Sequence, residues 1–299
     1  MIKWKIAFWT PGSKPQEDGS TFGCASHGFS TVSTWKEPGE NATVIWDIKP
    51  EGEVLAGKYA EVLEKLQKLS FIPKGLIAVF PKNSGIEKFT ATCKNMFGNI
   101  PMIGGGAAVG LGQVEGEILP ASKEVAVLAV SQGNFKVETL NIHENMGKIL
   151  EIELKTERII GKIKTKDGEE TENIVAYYRK LQEEYDVPEN DFECVTFSDM
   201  SGRNIHCSVA GDLLSSGADL PEDRTLVIRK TNPADATREI AGFISKENTI
   251  VFGCAGLRSL LEQPVLAGSS SIAGFMFGEL FTIGEKSMFG NLMMTRLTL

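Results

Sequence analysis

Cys254 and Arg258 sit just past the β-branched run Thr249-Ile250-Val251-Phe252, where a strand is expected to end and a loop to begin. Loops at strand ends present side chains on a rigid scaffold. An arginine there offers a planar fork that fits a carboxylate bidentately. A thiol there becomes a nucleophile only when a neighbouring base or cation stabilises the thiolate, and His27 and His206 are the imidazoles available for that role. Free cysteine is more commonly a small buried apolar residue. A Cys254-dependent small-molecule enzyme is therefore kept as an alternative, and no catalytic residue is assigned.

Two further patterns have chemical content. Gly104-Gly105-Gly106 and Gly268-Ser269-Ser270-Ser271 each follow an apolar run and are expected to form turns after strands. Glycines let backbone N–H groups approach a ligand, and serines add hydroxyls, so such turns can hold an anion. Neither fits a P-loop or a G-x-G-x-x-G fingerprint, so nucleotide binding is not indicated. Glu117 and Glu279 each follow a glycine, in Gly116-Glu117-Ile118 and Gly278-Glu279-Leu280. A carboxylate so placed either stabilises a turn or takes a ligand ammonium. The candidate ligand contacts are thus Cys254, Arg258, Ser269, Ser270, Glu279, Asn291, Gly104, Gly105 and Glu117. Arg258 and Glu279 together supply the two signs that a zwitterion such as an amino acid requires. His27, His143 and His206 share no metal-ligand spacing and no C-x-x-C-H site exists, so no metal site is expected.

The elements that position these residues follow from periodicity. Met1 to Trp9, broken by Lys3 and Lys5, reads as a first strand rather than a signal peptide. Thr43–Trp46, Gly75–Phe80 and Glu124–Val130 read as strands, and Val54–Leu69 carries apolar residues at helical spacing. A short helix is expected through Phe89 and Cys93. Phe135–Ile142 and Leu150–Ile163 read as strands, Asp167-Gly168 as a tight turn, and Glu172–Tyr185 as an amphipathic helix. Thr225–Ile228, Thr249–Phe252 and Asn291–Leu297 are expected strands. Pro233–Ser245 is an expected helix capped by Asn232 or Thr231, and Leu257–Glu262 a shorter one.

The second half repeats the order of the first. Pro101 to Gly116 spans 15 residues and Pro264 to Gly278 spans 14, while Cys24 to Val44 and Cys207 to Val227 are both 20. The expected fold is α/β, with mixed, largely antiparallel sheets and helices in two related halves produced by internal duplication. The expected domains are 1–145 and 146–299.

Composition narrows the function classes. The 299 residues suit about two domains, and 39 acidic against 31 basic residues give a net charge of −8. Such a chain, without a basic cluster, is poorly suited to nucleic acid or an anionic membrane. The longest uncharged run, Asn95 to Val114, holds six glycines and a proline, so it is not read as a membrane span. Cys24, Cys93, Cys194, Cys207 and Cys254 are odd in number and form no C-x-x-C pair, which suits reduced thiols in the cytoplasm without disulfides.

Several stretches resemble the FIST family of sensory domains. Gly161-Lys-Ile-Lys-Thr-Lys-Asp167-Gly168 with Ala176-Tyr177-Tyr178, Gly217-Ala-Asp-Leu-Pro-Glu-Asp223 and Val251-Phe-Gly-Cys-Ala-Gly-Leu-Arg258 are similar to its C-terminal domain, as are Ala273-Gly-Phe-Met-Phe-Gly-Glu-Leu280 and Asn291-Leu-Met293. Val79-Phe80, Pro101-Met-Ile-Gly104 and Gly116-Glu-Ile118 resemble its N-terminal domain more loosely. Leu257 lengthens the family's Cys-x-Gly-Arg turn, and the family's Asn-x-Thr-Met lacks its Thr here. The resemblance implies a small-ligand-binding sensory protein of prokaryotic signal transduction, with amino acids among the proposed ligands. Some relatives bind haem, so a haem-based gas sensor is a further alternative. No residues are left for an output domain, so a stand-alone sensor with a separate output protein is expected.

Overall fold

The computed structural model describes residues 4–11, 30–31, 41–48, 52–81, 85–107, 110–114, 125–187, 195–244, 249–254, 257, 272–276 and 278–298. Among these the protein is mixed α/β, with four helices and four largely antiparallel sheets, the fold class expected from the sequence. The chain divides into two compact units. The first comprises Met1–Leu140, Ile240–Phe289 and Met294–Leu299, and the second Asn141–Glu239 and Gly290–Met293.

The first unit is built on β5 (Gly75–Pro81), whose residues Leu76, Ile77, Ala78, Val79 and Phe80 are all buried. A run that is apolar without alternation belongs in the middle of a covered sheet. β6 (Met102–Ala107) lies parallel to β5, reached through helix α2 (Ile86–Phe97), the kind of crossover a parallel pair requires. β8 (Val125–Val130) lies antiparallel on the other side, with β4 (Gly52–Gly57) beyond it. β20 (Glu279–Ile283) and β21 (Lys286–Gly290) extend the sheet past β6, giving the order β21-β20-β6-β5-β8-β4.

A second sheet of this unit has the order β19-β18-β22-β9, from β19 (Ile272–Met276), β18 (Thr249–Cys254), β22 (Met294–Thr298) and β9 (Lys136–Leu140). Its pattern follows that of the first. A central strand, β18, has a parallel neighbour on one side and an antiparallel one on the other, with a further strand outside the latter. Helix α1 (Tyr59–Gln67) leads into β5, and helix α4 (Pro233–Ile244) leads into β18. Thr225–Ile228, expected to open the second half, lies instead in β17 (Thr225–Lys230) of the second unit, and β9 occupies the outer place. The two sheets are joined by side chains: the Thr139 hydroxyl donates to the Thr282 carbonyl at 2.8 Å. Arg296 binds the Glu138 carboxylate through Nε at 2.9 Å and the Phe243 carbonyl at 2.8 Å. A third sheet runs β2 (Ser30–Thr31), β3 (Asn41–Ile48), β1 (Trp4–Pro11), β7 (Gly110–Val114).

The helix expected from Val54 begins only at Tyr59. Val54 and Leu55 pair with Leu128 and Val127 of β8. Gly57, at φ +142°, ends the strand, and the Lys58 N–H then donates to the Glu61 carboxylate at 3.2 Å to start α1. Both residues fit the helical spacing, but a ladder partner some seventy residues on outweighs local period.

The second unit is organised by one long antiparallel sheet, β14-β13-β17-β10-β11-β16-β15, with β12 (Glu170–Thr171) beside β11. Its strands are β10 (Glu144–Thr156), β11 (Ile159–Thr165), β13 (Val195–Ser198), β14 (Asn204–Ile205), β15 (Cys207–Ala210), β16 (Leu213–Ser216) and β17. Helix α3 (Ile174–Glu184) packs on it through Ile174, Tyr178 and Leu181, against Phe197, Leu214 and Leu226 among others. Asn173 caps α3 by accepting from the Ala176 N–H at 3.1 Å, and the Tyr178 hydroxyl donates to the Val195 carbonyl at 3.0 Å.

A tight backbone approach to the β5 core lies at Gly104, which has φ +134° and faces Ala78; a Cβ there would lie 1.9 Å from the Ala78 carbonyl oxygen. Gly104→Ala is expected to lower stability by about 2–4 kcal/mol in urea unfolding, from strain and overpacking together. Gly242→Ala in α4, where an added Cβ would meet nothing within 4 Å beyond the helix's own backbone, is expected to be neutral or to add up to about 1 kcal/mol.

Candidate functional site

The structure brings three of the expected contacts into one ladder of the first unit. Gly104 and Gly105 do not form a turn after a strand. They lie within β6, opposite Ala78 and Val79 of β5 on one side and Leu280 and Glu279 of β20 on the other. The expected glycine-rich turn is corrected on this point: the missing side chains serve close strand approach. Gly278, at φ +76°, turns the chain into β20, and its carbonyl accepts from the Gly106 N–H at 3.1 Å. Directly paired residues project to the same face of a sheet, so position 105 places no side chain beside that of Glu279.

Glu279 is completely buried, with Leu280 and Phe281 beside it equally enclosed. A carboxylate so far from water remains an anion only where charge or hydrogen bonds compensate it, and any cation that reaches it is held strongly. Cys254 ends β18 opposite Met276 and is a buried cysteine that forms no disulfide. Within this unit β18 packs near both β6 and β20, so the strand carrying Cys254 neighbours the strands carrying the glycines and Glu279. Arg258, Ser269, Ser270 and Glu117 lie outside the described residues, as do His27, Cys24, Cys194 and the expected 257–262 helix apart from Leu257.

Asn291 belongs to the second unit, in the segment Gly290–Met293, just before β22 rather than in it. Its backbone N–H donates to the Asn204 carbonyl at 3.1 Å, and Asn204 Nδ2 donates to the Leu292 carbonyl at 3.3 Å. Asn204 is fully buried and locked in turn. It exchanges amide hydrogen bonds with Asn141 at 2.8 and 3.0 Å, and its Nδ2 lies 3.1 Å from His143 Nδ1. Arg229 extends the network, donating to the Ser198 hydroxyl at 2.6 Å and the His143 carbonyl at 2.9 Å. Asn141 and Asn204 were not among the sequence candidates. An isolated asparagine reads as a turn former, and only the fold, which brings Asn141 beside Asn204, shows these two as an amide pair.

Burial tunes the titratable groups. The His206 imidazole is pushed down to about 4, so it is neutral at physiological pH. The Cys93 and Cys207 thiols are pushed up to about 12, so neither supplies a thiolate near neutrality. Among the described residues no group of three or more His, Cys, Asp or Glu could hold a metal ion, and no helix is long and apolar enough to cross a membrane. A surface groove of about 410 Å³ lies at the start of α3, lined by Thr165, Thr171, Asn173, Tyr177 and Lys180, none of them an expected contact.

His206 makes a pH prediction with a definite sign. Its folded pKa of about 4 lies below the ordinary 6.5, so between these values the unfolded chain binds more protons. Stability is therefore expected to fall as pH drops from about 6.5 to about 4, by roughly 2–3 kcal/mol from this group. Urea midpoints across that range should show a shallower slope in His206→Gln than in the wild type.

Comparison with protein-family models finds no match for the chain, and comparison with curated proteins finds none either.

Proposed function

We propose that this chain is a sensory protein that binds a small polar metabolite, an amino acid or a molecule like it, and passes the signal to a separate output protein in the cytoplasm. The observation that carries the reading is the full burial of Glu279 directly across from Gly105. The Gly278-Glu279 motif, one of those resembling the FIST sensory domains, thereby places a carboxylate in a water-excluded part of the first unit. There a ligand ammonium is attracted far more strongly than at a surface. Arg258, four residues beyond Cys254, is assigned the ligand carboxylate, since a zwitterion buried without both partners is costly. The recurring strand order around β5 and β18 supports descent from a duplicated unit, as in a protein of two related halves.

A thermal-shift screen of the common amino acids, followed by calorimetry on each hit, tests the reading. At a hundredfold its dissociation constant a ligand is expected to add about 2.7 kcal/mol. Glu279→Gln keeps the side-chain shape and removes the charge, and is expected to weaken binding at least about tenfold, the effect of losing one charge-assisted hydrogen bond. Equal affinity in a variant with wild-type circular dichroism overturns the assignment of Glu279.

A further inference from the structure

The groove of about 410 Å³ beside α3 lies wholly in the second unit, and the Glu279 reading does not use it. Its volume falls within the roughly 300–1,000 Å³ of small-molecule pockets. One wall is the turn from Thr165 to Glu169, continued by Glu170 and Thr171 of β12. The other is the start of α3, through Ala176, Tyr177 and Lys180.

Both walls are held in place. The Thr165 N–H donates to the Glu169 carbonyl at 2.9 Å, and the Glu169 N–H donates to the Thr165 hydroxyl at 3.2 Å. The Gly168 N–H closes the same turn on the Thr165 carbonyl at 3.0 Å. The Thr171 hydroxyl accepts from the Asn173 N–H at 3.1 Å. Tyr177 packs against the hydrophobic core of the unit, which fixes its ring.

Many polar groups of the groove are nevertheless unused. Among the described residues the Thr165 and Thr171 hydroxyls accept hydrogen bonds but donate none. The Asn173 Nδ2, the Tyr177 hydroxyl, the Lys180 ammonium and the Glu169 carboxylate make no hydrogen bond or ion pair. Glu170 differs, being paired with Lys162 at 2.6 Å. The unused set thus contains both donors and acceptors.

Charge decides what can use them. Glu169 and Glu170 oppose an anion, and Lys180 opposes a cation. An amino acid could bridge the two signs, but contacts between charges this exposed are screened and worth little. A neutral ligand meets neither repulsion. It must donate to the Glu169 carboxylate and accept from the threonine, asparagine, tyrosine and lysine donors. A set of hydroxyls does both, since each hydroxyl donates and accepts. The Tyr177 ring adds an apolar face for the C–H side of such a ligand. We infer that this groove is a carbohydrate-binding site, taking the pyranose ring of a neutral sugar between Tyr177 and the Thr165–Thr171 wall.

The probes are the methyl glycosides of glucose, galactose and mannose, each titrated against the full chain by saturation-transfer NMR. At least one is expected to bind saturably. Acetate, methylammonium and glycine, added at equal concentration, are expected to leave its signal unchanged. Glu169→Ala removes the carboxylate and keeps every hydrogen bond that closes the turn, because those use the Glu169 backbone. It is expected to weaken the bound glycoside at least about tenfold, the loss of one charge-assisted hydrogen bond. Tyr177→Ala, checked by circular dichroism because the ring also packs on the core, is expected to weaken it as much. Absence of saturable binding by all three glycosides overturns the inference. So does displacement of the glycoside by any of the three charged competitors, or glycoside binding unchanged in Glu169→Ala.

Discussion

The first unit depends on how closely β6 approaches β5. At Gly104 the distance from a would-be Cβ to the Ala78 oxygen is far below any van der Waals contact, so the strands can pair only if that residue has no side chain. The parallel ladder from Met102 to Ala107 follows from this approach, and it holds β6 as the platform on which β20 is laid. The position of Glu279 is thus a consequence of a backbone constraint two strands away. A buried carboxylate is costly wherever it sits, and here its place is set by packing rather than by local propensity.

The second unit solves a different problem by different means. Its sheet must pass buried polar side chains, His143, Ser198, Asn204 and Thr231, without leaving their donors and acceptors unmatched. Asn204 does most of this, joining Asn141, His143 and the Leu292 carbonyl through one amide. Thr231 donates to the Ile142 carbonyl at 2.7 Å, and Arg229 reaches Ser198 and His143. Such networks fix one arrangement because a partial match is costly in a low dielectric.

The continuous apolar runs were readable from sequence because burial on both faces leaves a mark that needs no partner to interpret. Gly75–Phe80 and Glu124–Val130 became β5 and β8, and the amphipathic stretch Glu172–Tyr185 became α3. What escaped was every feature set by a distant neighbour. Val54 and Leu55 look helical until β8 is present, and Gly104-Gly105 look like a turn until β5 is. Thr225–Ile228 reads as the counterpart of Thr43–Trp46, yet it joins the second unit's sheet. Of the candidate contacts, Glu279 was marked by its place after Gly278, like Glu117 after Gly116, and Asn291 by the closing motif that resembles the FIST domains. The amides of Asn141 and Asn204 carry no such local sign.

The placement of β9 has a consequence for synthesis on the ribosome. Its ladder partner β22 pairs Leu140 with Met294, and the whole of Asn141–Glu239 lies between them in sequence. During translation β9 therefore emerges long before the strand that covers it, and chain closure over that distance is slow. The second unit, apart from Gly290–Met293, has its residues available earlier and can collapse first, since domains generally fold as units as they emerge. Meanwhile β9 presents an unpaired edge, and Lys136 and Glu138 on it supply the charges that discourage pairing with another nascent chain.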